Sequence, residues 1–233
     1  MKILAVGMNY ATHNKEMKES LLPKEPVIFS KPESALLREG KPFFIPDFDD
    51  RFDYETELVV RISKLCRSVS ERFAHRYYDE VSVGIDFTAR NLQSKLREDG
   101  LPWEICKGFD GSAGIGKFIK KSELFDIAGC TDVKAEWKNS KTGNTHISDD
   151  SWRKLMKDIH FHLDINGNTV QEGHTADMMF GVDRLISYIS RFFTLKTGDI
   201  IYTGTPMGVG MVHEGDQLQG YIGNKELLNL RIR

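Results

Sequence analysis

The run Asp53-Tyr54-Glu55-Thr56-Glu57-Leu58-Val59-Val60 constrains this chain more than any other segment. It sets two carboxylates one residue apart in an apolar stretch that reads as a strand. Side chains alternate along a strand, so Glu55 and Glu57 share one face, with Cα atoms roughly 7 Å apart. Tyr54, Thr56, Leu58, Val60 and Ile62 take the other face, where they can pack. Like charges side by side repel unless water screens them or a cation bridges them. A third carboxylate, Asp86, lies in a second strand-like run, Val81-Ser82-Val83-Gly84-Ile85-Asp86-Phe87. Three oxygen donors with no His or Cys nearby suit a hard cation and leave positions open for water or substrate. Alone, such a pair more often marks a solvated outer face. The surrounding groups decide.

At 233 residues the chain can form one large domain or two small ones, and its 40% hydrophobic content is that of an ordinary globular protein. Lys and Arg total 32 against 34 Asp and Glu, so no strong field draws nucleic acid or an anionic membrane. No apolar run approaches the ~20 residues of a membrane span, and the N-terminus turns polar too soon for a signal peptide. Cys66, Cys106 and Cys130 are widely spaced and read as the reduced thiols of a cytoplasmic protein. Lys107 could activate Cys106, but a buried structural thiol is the simpler reading.

The periodicity predicts a strand over 2–6, a short apolar run over 27–29, and loops around Pro32, Pro42 and Pro46. Helices are expected from Ser70 through Tyr78, from Ala89 to Glu98, and from Val182 to Phe193, where Leu185, Ile186 and Ile189 continue one stripe. Ile159 to Ile165 alternates cleanly and ends at the hairpin signal Asn166-Gly167. His160, His162 and Asp164 share its outer face. An H-x-H pair can bind zinc, but the apolar opposite face accounts for the pattern as a half-exposed strand. The stretch from about 129 to 157 is polar and resists assignment. Many short strands and few helices imply an α+β fold built around antiparallel sheet.

Arg90 and Gln93 follow Asp86 on an expected helix and, at i, i+3, face one way; if Asp86 holds a metal, the helix start carries Arg90 close to it, ready for a substrate carboxylate, and otherwise Arg90 reads as an ordinary surface arginine. Lys107 precedes a flexible turn, and its amine beside a cation could stabilise an enolate or carbonyl oxygen. Thr203-Gly204-Thr205-Pro206-Met207-Gly208-Val209-Gly210 follows a strand and could hold an oxyanion or carboxylate on backbone amides, but it is not a P-loop. His13 and Glu16 are spaced to meet on one helical turn, and a carboxylate-oriented imidazole is a general base near neutral pH. The polar residues from about 13 to 25 are expected to be a mobile lid.

Together, these segments resemble the fumarylacetoacetate hydrolase family in its short single-domain form, nearest the acylpyruvase and oxaloacetate decarboxylase type. The matching pieces include Gly7-Met8-Asn9-Tyr10-Ala11-Thr12-His13, Phe29-Ser30-Lys31-Pro32, Tyr54-Glu55-Thr56-Glu57-Leu58, Asp86-Phe87-Thr88-Ala89-Arg90, Lys107-Gly108-Phe109-Asp110 and the 203–210 turn, in family order. The resemblance implies one catalytic domain over 1–233, a β-rich roll of mixed, mainly antiparallel sheets with peripheral helices, and a homodimer. It implies Glu55, Glu57 and Asp86 as ligands of Mg²⁺ or Mn²⁺, with Ca²⁺ able to replace them in crystals. His13 and Glu16 become the water-activating dyad, Lys107 the enolate-stabilising catalytic group, and Arg90, Gln93 and Thr205 the substrate contacts. The 129–157 segment departs from the family as an insertion.

The implied chemistry is metal-dependent cleavage of a 2,4-dioxo acid by way of an enolate, as in acylpyruvate hydrolysis. Oxaloacetate decarboxylation or tautomerisation, or dienoate isomerisation, would use the same enolate. A non-catalytic metal-stabilised binding module fits less well, because purely structural sites are normally closed. An oxygenase lacks the usual two-histidine, one-carboxylate set in these segments.

Overall fold

The computed structural model describes residues 1–11, 22–37, 40–127 and 147–233. Its centre is the antiparallel pair Thr56–Ile62 and Tyr78–Asp86, with Glu57 opposite Gly84 and Val60 opposite Val81. Leu58, Val60, Ile62, Val81 and Val83 pack on one face with Leu185, Ile186 and Ile189 of the helix Val182–Phe192. Val59 points the other way, into a cluster with Ile3, Ala5, Ala113 and Tyr202. Burying a Leu or Ile side chain of this kind is worth about 1.5–3 kcal/mol. Both faces are covered, which explains why the strand reads as an almost continuous apolar run. A carboxylate placed on it therefore faces protein, not water.

Among the described residues the large sheet runs Val27–Lys31, Ile3–Gly7, Ile200–Tyr202, Thr56–Ile62, Tyr78–Asp86, Ala113–Ile115 and Leu36–Leu37, and Ile119–Lys120 also pairs with Tyr78–Asp86. Two of its pairings are parallel, Ile3–Gly7 with Ile200–Tyr202 and Leu36–Leu37 with Ala113–Ile115. A four-stranded antiparallel sheet follows the order Asn168–His174, His160–Ile165, Gln217–Ile222 and Lys225–Arg231. A small three-stranded sheet joins Gly210–Met211, Phe52–Tyr54 and Thr88–Ala89. This is the expected α+β class of mixed, mainly antiparallel sheets with peripheral helices. No helix among the described residues is long and apolar enough to cross a membrane.

Three local expectations need correction. Glu55 and Glu57 do not ride on one strand, because the chain changes sheet at Glu55, between Phe52–Tyr54 and Thr56–Ile62. The Glu55 carbonyl accepts from the Asp86 amide, and the Thr56 amide donates to the Gln171 side chain, so long-range partners fix the break. The helix expected from Ser70 to Tyr78 spans only Glu71–Ala74, since Tyr78 pairs with Ile62 and opens the next strand. Residues 147–157, at the end of the polar segment, include the helix Asp149–Met156, capped by the Ser148 hydroxyl on the Ser151 amide; the rest of that segment lies outside the described residues. The Asn166-Gly167 hairpin is present, with both residues at positive φ (53° and 80°) as such a turn requires.

Gly84 is the tightest point beneath the carboxylates. A Cβ there would lie 2.6 Å from Tyr202 Cε1, 2.8 Å from Val59 Cγ2 and 2.9 Å from the Gly114 carbonyl oxygen. Gly84→Ala should therefore lower unfolding stability by about 1–3 kcal/mol, as overpacking does. Urea denaturation measures it, and an unchanged midpoint would show that this layer is not packed as described.

Candidate metal centre

The ends of several elements meet at one buried place. Glu57 comes from the central strand, Glu55 from the sheet change before it, and Asp86 from the end of the neighbouring strand. Lys107 closes the short helix Glu104–Lys107, Arg90 opens the helix Arg90–Glu98, and Lys31 ends the strand Val27–Lys31. All six side chains are buried. One oxygen each of Glu55, Glu57 and Asp86 lies within 4.8 Å of the other two, close enough to share one ion.

The positive groups are specific in their contacts. Lys107 Nζ donates to Glu55 Oε2 (2.8 Å), Asp86 Oδ2 (2.8 Å) and Thr88 Oγ1 (2.7 Å), which engages all three ammonium hydrogens. Lys31 Nζ stands 2.6 Å from Asp86 Oδ1, an ion-pair contact without hydrogen-bond geometry. It also donates to the Lys107 carbonyl and to both oxygens of Ser112. Arg90 donates to Asp53 Oδ2 (2.7 Å), Glu55 Oε1 (2.6 Å) and Gln93 Oε1 (2.6 Å). Asp53 is in turn bonded by Arg51 at the rim.

Glu57 differs from the other carboxylates. Its Oε2 accepts from the Gly204 amide at 2.5 Å, but among the described residues it makes no ion pair. Burial, then the charges of Asp86 and Glu55, hold its carboxyl well above the usual range, with the Gly204 bond opposing. Burial pulls Lys107 down, but Asp86 and Glu55 outweigh it and hold the ammonium above its ordinary value. Arg90 behaves likewise: burial is overcome by Glu55 and Asp53, and its guanidinium is held still higher. For Lys31 burial prevails over Asp86 and the value falls. A hard divalent cation fits this donor set, because it neutralises charge at the one carboxylate of the three that pairs with no cation among the described residues.

Of the expected residues, Glu55, Glu57, Asp86, Lys107, Arg90 and Gln93 come together directly. Thr205 sits one layer back: its hydroxyl donates to the Thr56 carbonyl (3.0 Å) and accepts from Gln171 Nε2 (2.8 Å). The turn expected to hold an anion on backbone amides instead donates, through Gly204, to the protein's own Glu57 carboxyl. His13 and Glu16 lie outside the described residues, as does most of the expected lid. Cys66 and Cys106 are free and buried, and burial pushes the Cys106 thiol up to about 11; Cys130 lies outside the described residues. Lys31, Asp53 and Gln171 received no role from the sequence. A lysine ending a short apolar strand before Pro32 was the available signal for the first. For Gln171 there was none, since its partners lie far away in the chain.

The chain as a whole is similar to known proteins. A sequence model of the family "Fumarylacetoacetate (FAA) hydrolase C-terminal" matches residues 2–232. The bovine protein named oxaloacetate tautomerase FAHD1, mitochondrial, is 36% identical over 94% of this chain and 86% of its own length. Oxaloacetate tautomerase YcgM of Escherichia coli K12 is 37% identical, covering 93% of this chain and 86% of itself. Among solved structures, a fumarylpyruvate hydrolase from Pseudomonas aeruginosa in complex with Mn²⁺ and pyruvate is 31% identical, with a TM-score of 0.80 over 100% of this chain and 88% of that one. The chain belongs to the fumarylacetoacetate hydrolase family.

The charge arrangement predicts opposite responses to metal and to mutation. In wild type, Mg²⁺ at about 100 times its Kd should add about 2.7 kcal/mol of stability, lost again in EDTA. Glu57→Gln relieves a buried like-charge contact, so in EDTA this variant should melt above wild type, yet gain little from Mg²⁺. An undiminished Mg²⁺ response in the variant would remove Glu57 from the ligand set.

Proposed function

We propose that this family member is a divalent-metal-dependent enzyme that converts 2-oxo acids by way of an enolate. Keto–enol interconversion of oxaloacetate is the first reading, and C–C hydrolysis of acylpyruvates is the second. The observation that carries the proposal is Lys107, a buried ammonium held between Glu55 and Asp86 beside a carboxylate triad. Such an arrangement is preorganised to stabilise negative charge developing on a substrate oxygen. The named activity of the bovine and Escherichia coli relatives supports the first reading. The Pseudomonas aeruginosa fumarylpyruvate hydrolase supports the second, and its Mn²⁺ supports the metal.

Glu55, Glu57 and Asp86 would hold Mg²⁺ or Mn²⁺, which when bound supplies Lewis-acid stabilisation of an oxyanion. The Lys107 ammonium, whose hydrogens rest on Glu55, Asp86 and Thr88 until a ligand draws one away, would stabilise charge on the C2 oxygen while water takes the proton leaving C3 and returns one to that oxygen, giving the enol; the reverse gives the ketone. Arg90 has five N–H donors, of which three are engaged among the described residues, by Asp53, Glu55 and Gln93; the remaining two can take a substrate carboxylate. Thr205, with Gln171, keeps the 203–205 turn against the start of the central strand. In hydrolysis His13, oriented by Glu16, takes the proton of a water attacking the C4 carbonyl. The C3–C4 bond then breaks, leaving pyruvate enolate and a carboxylic acid. A homodimer in the cytoplasm, with a small 2-oxo acid as its ligand, completes the reading.

Oxaloacetate tautomerisation and acylpyruvate hydrolysis should both require Mg²⁺ or Mn²⁺ and stop in EDTA. Lys107→Ala, with its fold checked by circular dichroism, should cost both reactions about 10²–10³-fold, the usual worth of one oxyanion-stabilising donor. His13→Ala should cost hydrolysis about 10²–10⁴-fold, as loss of a general base does, and tautomerisation much less. Full tautomerase activity in Lys107→Ala would refute the enolate role. Equal losses of both reactions in His13→Ala would refute the division of labour.

A further inference from the structure

A second group of ligating side chains stands apart from the carboxylate triad, on the four-stranded sheet. His160 and His174 are directly opposite each other on the antiparallel strands His160–Ile165 and Asn168–His174. Their rings stack with centroids 3.9 Å apart. Asp158, two residues before His160, reaches both: its Oδ1 is 3.0 Å from His174 Nε2 and 4.0 Å from His160 Nε2. One ligand atom from each of the three lies within 4.8 Å of the other two.

The backbone beneath this trio is fixed on every side. The Ile159 amide donates to Thr175 Oγ1, the Thr175 amide donates to the Ile159 carbonyl, and the Gly223 amide donates to the His160 carbonyl. The Asp158 amide closes the turn after the helix Asp149–Met156 by donating to Leu155. The three Cα positions are therefore set by the fold, while the His160 ring is two-thirds exposed and free to turn about its side-chain torsions. Parallel stacked rings cannot both aim an in-plane lone pair at one ion; rotation of the exposed His160 ring achieves it.

We propose that Asp158, His160 and His174 form a second metal site, selective for a borderline transition metal such as Zn²⁺ and independent of the carboxylate triad. Two imidazole nitrogens and one carboxylate oxygen are a donor set for Zn²⁺, Ni²⁺ or Cu²⁺, whereas Mg²⁺ takes oxygen ligands. Water completes the coordination on the exposed side. The ion would join the turn after the Asp149–Met156 helix to both strands of the hairpin. Gln171, three residues before His174 on the same strand, holds the Thr56 amide and Thr205. Occupation of the site thus stiffens a strand that supports the catalytic centre, and the bound protein should melt at a higher temperature.

The test is Zn²⁺ titration of the untagged chain by calorimetry, with excess Mg²⁺ saturating the triad, together with melting curves. One Zn²⁺ should bind per chain and raise the melting temperature. His160→Ala and His174→Ala should each weaken it by at least about 10–100-fold, the loss seen when even a ligand's supporting partner is removed. His162→Ala removes a histidine on the same strand that stacks on Tyr221 instead, and it should bind Zn²⁺ like wild type. Glu57→Gln should also bind it unchanged, which separates this site from the triad. Zn²⁺ binding that survives both His160→Ala and His174→Ala, or that vanishes in Glu57→Gln, would overturn the proposal. So would the absence of saturable binding up to about 1 mM Zn²⁺.

Discussion

The rest of this structure is arranged around the mutual repulsion of three buried carboxylates. With oxygens as far as 4.8 Å apart, each ionised pair repels by roughly 3–4 kcal/mol at an effective dielectric constant of about 20. Lys107 bridges Glu55 and Asp86, Arg90 holds Glu55 against Asp53, and Lys31 pairs with Asp86. Among the described residues these partners leave Glu57 with the Gly204 amide as its support. Buried ion pairs are a weak source of stability, since desolvation can exceed the attraction. What they supply here is position: every carboxylate is held in one orientation before a ligand arrives.

The sheet makes that position possible. A central strand covered on both faces excludes water from Glu57, and the opposing Gly84 lets the Tyr202 ring, Val59 and the Gly114 carbonyl close in beside it. The change of sheet at Glu55 turns the chain so that this side chain meets Arg90 and Lys107. Gln171 then joins the four-stranded sheet to both the Thr56 amide and the Thr205 turn. The site is thus a junction of sheets, and its geometry is inherited from their rigidity.

How much of this the sequence disclosed depended on distance along the chain. Alternation and helical spacing are local, so the strand at Ile159–Ile165, the Asn166-Gly167 turn and the helix at Val182 were readable. The triad was readable because two carboxylates in an apolar run are conspicuous. The break at Glu55 was not, because it is made by partners as distant as Gln171. The one-turn helix at Glu71–Ala74 was overread because pairing of Tyr78 with Ile62 overrides local propensity. Lys31 carries no local signal of its role, since its burial against Asp86 and Ser112 appears only in three dimensions. The histidines of the hairpin show the same limit: spacing pointed to His162 beside His160, whereas the cross-strand partner is His174.

The central claim is that one divalent cation belongs among Glu55, Glu57 and Asp86, with Lys107 beside it. Crystals grown with Mn²⁺ and measured at its absorption edge test this directly, because the anomalous signal locates the ion without assuming its ligands. A single strong peak within about 2–2.5 Å of an oxygen from each of the three carboxylates is the predicted result. A peak elsewhere, or a site formed without Glu57, would contradict the account.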